Sequence, residues 1–335
     1  MKIPELREKL SGLSEKELIY LAIEFYKLIP KAKREMYQLD AMTEAPDPAS
    51  KPPKLQGSTD SIADMEHKII EFVRNAEAGY YFRNNREVSR KERRTWRSTV
   101  KSWHKALTSI DRPEGDLNKQ ADLLALLYLC LCRGQQYNVF TSHEPFEAIN
   151  IGQAKFYRGI LDIYEHASGK TEVINKGIEL LIQSADDTHM ITNLIDEFLL
   201  LISIPDLYEK TIDSIENALT ARSIEYANAA KAARSHYNFE IKYNNVVNSL
   251  TALALKVYLR LGENNNALAF FDQHFRDKDP EVKLYKMITY LYSEGKADLI
   301  RQAIESAKSK GINPRKSLLD LDQYIEINGV LPDRL

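Results

Sequence analysis

Two cysteines, twelve prolines and thirteen glycines in 335 residues leave the chain poor in cross-links and chain-breakers. Glycine stands at about 4%, against a usual share of about 7%. So few turn formers over this length argue against a many-turned all-β fold. Cys130 and Cys132 sit two apart in the apolar run Leu123–Cys132, where helical geometry points them to different faces. That argues against a disulfide between them and for buried thiols of a reducing compartment. No second Cys/His pair has metal-site spacing. The same run, ten residues long, is the longest apolar stretch, and a bilayer span needs roughly 18. Met1–Glu5 opens no signal peptide, so the expected location is the cytoplasm.

Catalytic signatures are missing as well. There is no nucleophile elbow, glycine-rich dinucleotide fingerprint or kinase set. Gly169-Lys170-Thr171 echoes the end of a phosphate loop, but Tyr164 stands where its first glycine belongs. No two of the seven histidines stand four apart. No cofactor and no metal is expected. A non-catalytic protein is favoured over a helical enzyme with dispersed residues.

What the chain does have is helical periodicity. Ser14 followed by Glu17 has capping-box spacing, and Leu18, Leu21, Ala22, Phe25 and Leu28 make the stripe that follows. Pro30 opens a further expected helix, Lys31–Gln38. Residues 41–57, with four prolines in Ala45–Pro53, read as an extended linker. The expected organisation is an N-terminal helical module (1–40), this linker (41–57) and a helical-repeat domain (58–335). Within that domain the sequence predicts helices over 58–82 and 87–110. A very apolar helix from Asp116 or Asn118 to Cys132 is expected at the centre of the fold, followed by a polar break at 133–136. Later breaks fall at Gly169, Ala185–Asp187, Pro205, Gly262, Pro280, Gly295 and Gly311–Pro314.

Tyr258, Gly262, Ala267 and Phe271 stand at relative spacings of four, nine and thirteen, with Pro280 at the end of the unit. These residues resemble the second half of a tetratricopeptide repeat. The tryptophan, leucine and glycine positions of that pattern's first helix fall on Thr251, Ala254 and Leu255, and His274 stands where a small residue belongs. The next unit keeps Leu291, Gly295, Ala307 and Pro314, with Ile300 in place of alanine. The resemblance covers about two units. It implies an all-α fold of stacked helical hairpins, a right-handed α-solenoid, with protein or peptide binding on a concave face.

Charge is distributed unevenly. Net charge is −2 overall, but residues 1–110 carry 21 basic and 16 acidic side chains. The sharpest cluster is Arg83, Arg86, Arg90, Lys91, Arg93, Arg94, Arg97, Lys101 and Lys105, against only Glu87 and Glu92. On one helix, Trp96, Val100, Trp103 and Leu107 form an apolar stripe, with Arg90, Arg94, Arg97, Lys101 and Lys105 roughly 100° around it. That pattern fits a ridge for nucleic-acid phosphates or an anionic membrane surface. It also fits a core stripe whose charged flank is solvated or paired with the acidic remainder, since charge runs are usually solvated faces. A second stretch places Tyr226, Ala230, Ala233, Tyr237 and Ile241 on one face of a single long helix. Arg222, Arg234 and Asn238 lie nearby. Tyrosine with arginine and asparagine is typical of binding surfaces, whereas the small residues also suit plain helix packing. Arg222, Tyr226, Arg234, Tyr237 and Asn238 are the candidate partner groove. The reading that follows is a cytosolic adaptor recognising a protein or peptide, the alternative being a nucleic-acid-associated protein that uses the basic helix 83–105.

Overall fold

The computed structural model describes residues 9–29, 61–108, 114–185, 188–232 and 237–333. Among them are fifteen α-helices and no strand. The chain divides into two units, Met1–Ser61 and Ile62–Leu335. The linker at 41–57 and the helix expected at Lys31–Gln38 lie outside the described residues.

In the first unit, α1 (Glu15–Leu28) begins where the sequence predicts. The Ser14 amide and hydroxyl both donate to Glu17 Oε2, at 2.8 and 2.6 Å. These bonds hold the Glu17 carboxyl below its usual range. None of the α1 side chains is buried, and Phe25 and Leu28 are exposed.

The second unit starts with α2 (Ile62–Glu77), which buries Ile62, Met65, Ile69, Phe72 and Val73. It stops short of residue 82 because Gly79, at φ +77°, closes it. There the Tyr80 amide donates to Asn75 O and the Gly79 amide to Ala76 O, the two bonds of a Schellman cap. Then come α3 (Arg90–Arg94) and α4 (Trp96–Leu107), in place of one helix over 87–110. Ser89 and Glu92 form the capping box that sets the start. Thr95 interrupts the α pattern: its hydroxyl and amide both donate back to Glu92 O, at 2.7 and 3.0 Å.

Next is α5 (Glu114–Gln136), the expected central helix, packed against α2, α4, a short α6 (Pro145–Ala148), α7 (Gln153–Ser168) and α8 (Lys170–Ser184). The polar break expected at 133–136 does not occur, and α5 runs on through Gly134. A Cβ there would come within 2.4 Å of the Phe140 ring, so the glycine lets the following loop close onto the helix.

From here α9 (Thr188–Leu201), α10 (Pro205–Ala232), α11 (Tyr237–Leu261), α12 (Asn264–His274), α13 (Pro280–Ser293), α14 (Ala297–Ser309) and α15 (Lys316–Asn328) follow. The expected breaks fall at these junctions. Gly262 and Gly295 turn the chain at φ +80° and +71°, and Pro280 opens α13. Among the described residues, helices in extensive contact are at most three places apart in chain order. Such near-neighbour packing makes most contacts local in sequence.

Two apolar clusters form the core, and α11 carries both. Ala252, Leu253, Ala254 and Val257 belong to the larger cluster, which reaches back to α2. Leu255 and Leu259 belong to the smaller one, built with Ala267, Phe271, Leu284, Ile288, Leu291 and Ile300. Residues 251–257 are buried without exception, as expected of a helix covered on all sides. Each fully buried leucine or phenylalanine contributes about 2 kcal/mol.

Candidate functional site

The basic stretch is built on a buried apolar floor. Trp96, Val100 and Leu107 have no exposure, and Trp103 packs edge-on against Phe72 with ring centroids 5.5 Å apart. Trp96 also stacks on Phe140 at 4.4 Å and donates its indole N–H to Thr141 Oγ1 at 3.1 Å. With that stripe fixed inward, Arg90, Arg94, Lys101 and Lys105 project into solvent. Arg97 differs from the expectation for the stripe. It is half-buried, with its guanidinium 5.8 Å from the Trp96 ring centroid.

The loop before α3 adds to this surface. The Asn85 side chain donates to Gly79 O and accepts from the amides of Glu87 and Val88. Arg93 donates to the carbonyls of Phe82 and Arg83. The loop is thus fastened to α3 at Phe82 and Arg83, and it carries the exposed Arg83 and Arg86.

Among the described residues none of the nine cations is ion-paired. Basic residues on other helices are ion-paired: Lys119 with Glu66, Arg133 with Glu77, and Arg158 with Asp162. Of the two alternatives for the charged flank, solvated or paired with the acidic remainder, the exposed cations fit the solvated one among the described residues. Of the two local carboxylates, Glu92 is spent on its capping box.

His104, on α4, is half-buried edge-on against Phe156 at 4.5 Å, and its Nε2 has no hydrogen-bond partner. Burial, with Lys155 adding to it, lowers its pKa from the usual value. The unfolded chain therefore takes up a proton at His104, near pH 6.5, before the folded chain does. Stability should be level above that pH and decline as pH falls below it. We expect denaturant midpoints between pH 7.5 and 5 to fall less in His104→Phe than in wild type. Equal acid sensitivity would show that other groups carry the effect.

The tyrosine-rich stretch forms two helices instead of one. α10 ends at Ala232 and α11 starts at Tyr237. In one helix Tyr226 and Phe239 would be about 20 Å apart. Here Tyr226 stacks between Phe239 at 5.8 Å and Tyr243 at 4.3 Å, so the chain reverses between them. Arg222 pairs with Glu225 at 2.6 Å. Arg234 lies outside the described residues, as do the side chains of Tyr237 and Asn238. A cleft of about 530 Å³ runs along this hairpin, lined among others by Leu219, Ile224, Tyr243, Phe270 and Arg276.

A second groove, of about 510 Å³, lies between α12, α13 and α14. Leu268, Leu284, Met287, Ala303 and Ile312 line its apolar part, and Asn265, Gln302 and Ser306 its polar part. Asp272 bridges Lys283 and Lys310, at 3.3 Å to each. Burial opposes ionisation of Asp272, but the two ammonium groups outweigh it and hold the carboxyl below its usual range.

Sequence reasoning missed Lys256, whose side chain is 1% exposed. Its Nζ lies 2.7 Å from Asp196 Oδ1 and 3.1 Å from Glu294 Oε1, and Arg260 approaches Glu294 at 3.8 Å. The available signal was a lone lysine inside the apolar run 252–257. Cys130 and Cys132 are buried and form no disulfide, and burial pushes the Cys130 thiol up to about 12. Among the described residues no group of His, Cys, Asp and Glu could hold a metal ion, and no helix is long and apolar enough to cross a membrane.

No protein-family model matches the sequence, and no curated protein or solved structure matches it. The fold and surfaces define an all-helical protein, and its function is read from those surfaces.

Proposed function

We propose that this protein is a non-catalytic adaptor that seats a protein or peptide segment in the groove between α12, α13 and α14. The groove carries the reading: apolar side chains of three successive helices face one channel with polar groups among them. An amphipathic helix or extended peptide would bury its apolar side there and meet hydrogen-bonding groups at the edge. Met287 adds an adaptable contact. The packing of α11 on α12, α13 on α14 and α14 on α15 suits stacked helical hairpins of tetratricopeptide-like type. Ala267, Phe271, Leu291 and Ala307, residues of that pattern, are all buried. Two buried cysteines that form no disulfide suit a reducing compartment such as the cytoplasm.

The test uses exposed groove positions, so that the core is untouched. Ala269→Arg with Ser306→Arg would fill the channel. Random peptides displayed on phage are selected against the folded wild-type protein. The expected result is enriched peptides whose affinity drops at least tenfold in the double variant, with an unchanged melting curve. No enrichment, or equal binding to both proteins, would overturn the assignment.

A further inference from the structure

The basic ridge is a separate surface, made by α3, α4 and the loop before them, whereas the groove is made by α12–α14. We propose that it binds the phosphate backbone of a nucleic-acid duplex, independently of sequence. Arg83, Arg86, Arg90, Arg94, Lys101 and Lys105 are exposed and, among the described residues, unpaired. Cations held together without counter-charges repel one another, and an external polyanion relieves that repulsion. Six of the nine basic residues are arginines, whose planar guanidinium presents paired donors to phosphate oxygens. From Arg90 to Lys105 the ridge is about 22 Å long, the rise of about six base pairs.

Two other polyanions fit this surface less well. A membrane-surface helix needs an apolar face free to enter the lipid, and here that face is consumed by the core: Trp96, Val100 and Leu107 have no exposure. A single-strand site uses aromatic side chains as stacking platforms for bases. The rings on α4 are already engaged, Trp103 against Phe72 and His104 against Phe156. A duplex backbone needs neither feature. Arg93 acts as a positioning residue, tying the loop that carries Arg83 and Arg86 to α3 through two carbonyls.

The experiment measures binding of the full chain to a 20-base-pair DNA duplex, one of its strands alone, and vesicles of phosphatidylserine and phosphatidylcholine, across a salt series. The ridge variant is Arg90→Glu/Arg94→Glu/Lys101→Glu. The control is Lys210→Glu/Lys278→Glu/Lys316→Glu, which makes the same change in net charge at exposed positions outside the ridge. With about six phosphates contacted, duplex affinity should fall about a thousandfold between about 50 and 200 mM salt. At low salt it should fall at least a hundredfold in the ridge variant and little in the control, with both variants melting like wild type. The groove variant Ala269→Arg/Ser306→Arg should bind duplex normally, so failure of the peptide reading leaves this one standing. Absence of duplex binding at low salt, equal losses in ridge and control variants, tighter binding of the single strand, or vesicle binding in place of duplex binding would each overturn the proposal.

Discussion

Replacing Lys256 with methionine should lower the unfolding free energy by about 3 kcal/mol or more, because it removes one partner of a buried ion cluster. Methionine approximates the length of the lysine stem, so the packing loss is small and the electrostatic loss dominates. What remains is the Glu294 carboxylate, whose side chain is only 14% exposed. Its remaining partner is Arg260 at 3.8 Å, itself anchored to Leu199 O. Asp196 is less costly to strand, since its side chain is 48% exposed and water can take the place of the ammonium. The asymmetry predicts a rescue. Lys256→Met/Glu294→Gln should recover more than half of the loss, because the amide carries no charge. Lys256→Met/Asp196→Asn should recover little. Denaturant unfolding of the four proteins decides it, and a Lys256→Met midpoint within error of wild type would mean that the cluster is solvated in solution. The expected effect is large because Lys256 bonds to α9 and to the residue that ends α13 from a helix that contributes to both apolar clusters.

Most helix boundaries were legible because they are local. A capping pair such as Ser14 with Glu17, or a turn at Gly262 or Gly295, is decided by a handful of neighbouring residues. The burial of Trp96, Val100 and Leu107 was legible for the same reason, since their spacing alone places them on one face. The unread features depend on partners far along the chain. Gly134 looks like a helix stop until Phe140 packs on it. The stretch 226–241 has the composition of one helix, and only the stacking of Tyr226 with Phe239 and Tyr243 shows that the chain reverses. Lys256 reads as an ordinary helix residue until Asp196, 60 positions away, is brought to it. The spacing placed Arg90, Arg94, Lys101 and Lys105 of the basic stretch on an exposed face, where they lie, but also Arg97, which is half-buried. Whether the charges of the stretch were paired could not be read, because that depends on where every carboxylate of the fold ends up.

Gly177 shows the same limit in a form that a single methyl group can test. In a helix interior, alanine is favoured over glycine by about 1 kcal/mol, so a sequence-level reading of α8 would expect Gly177→Ala to stabilise. We expect a loss of about 2 to 3 kcal/mol instead, the range of overpacking in a rigid core. A Cβ at this position would lie 2.5 and 2.6 Å from two carbons of the Phe198 ring and 3.3 Å from the Tyr157 hydroxyl. Neither side chain has room to retreat: Phe198 and Tyr157 both have no exposure, and the Tyr157 hydroxyl donates to Gly177 O at 3.0 Å. α8 therefore sits too close to α7 and α9 for any side chain at this point. The control is one helix earlier. At Gly159 the nearest atom to a new Cβ is Thr108 Cγ2 at 3.8 Å, an ordinary contact, so Gly159→Ala should stabilise by up to about 1 kcal/mol. Opposite signs for the same substitution on consecutive helices are the expected outcome of chemical denaturation. Combining Gly177→Ala with Phe198→Leu should cost less than the two changes summed, because the smaller side chain vacates the space the methyl needs. Strict additivity, or a stabilised Gly177→Ala, would show that the three helices separate more easily than this packing allows.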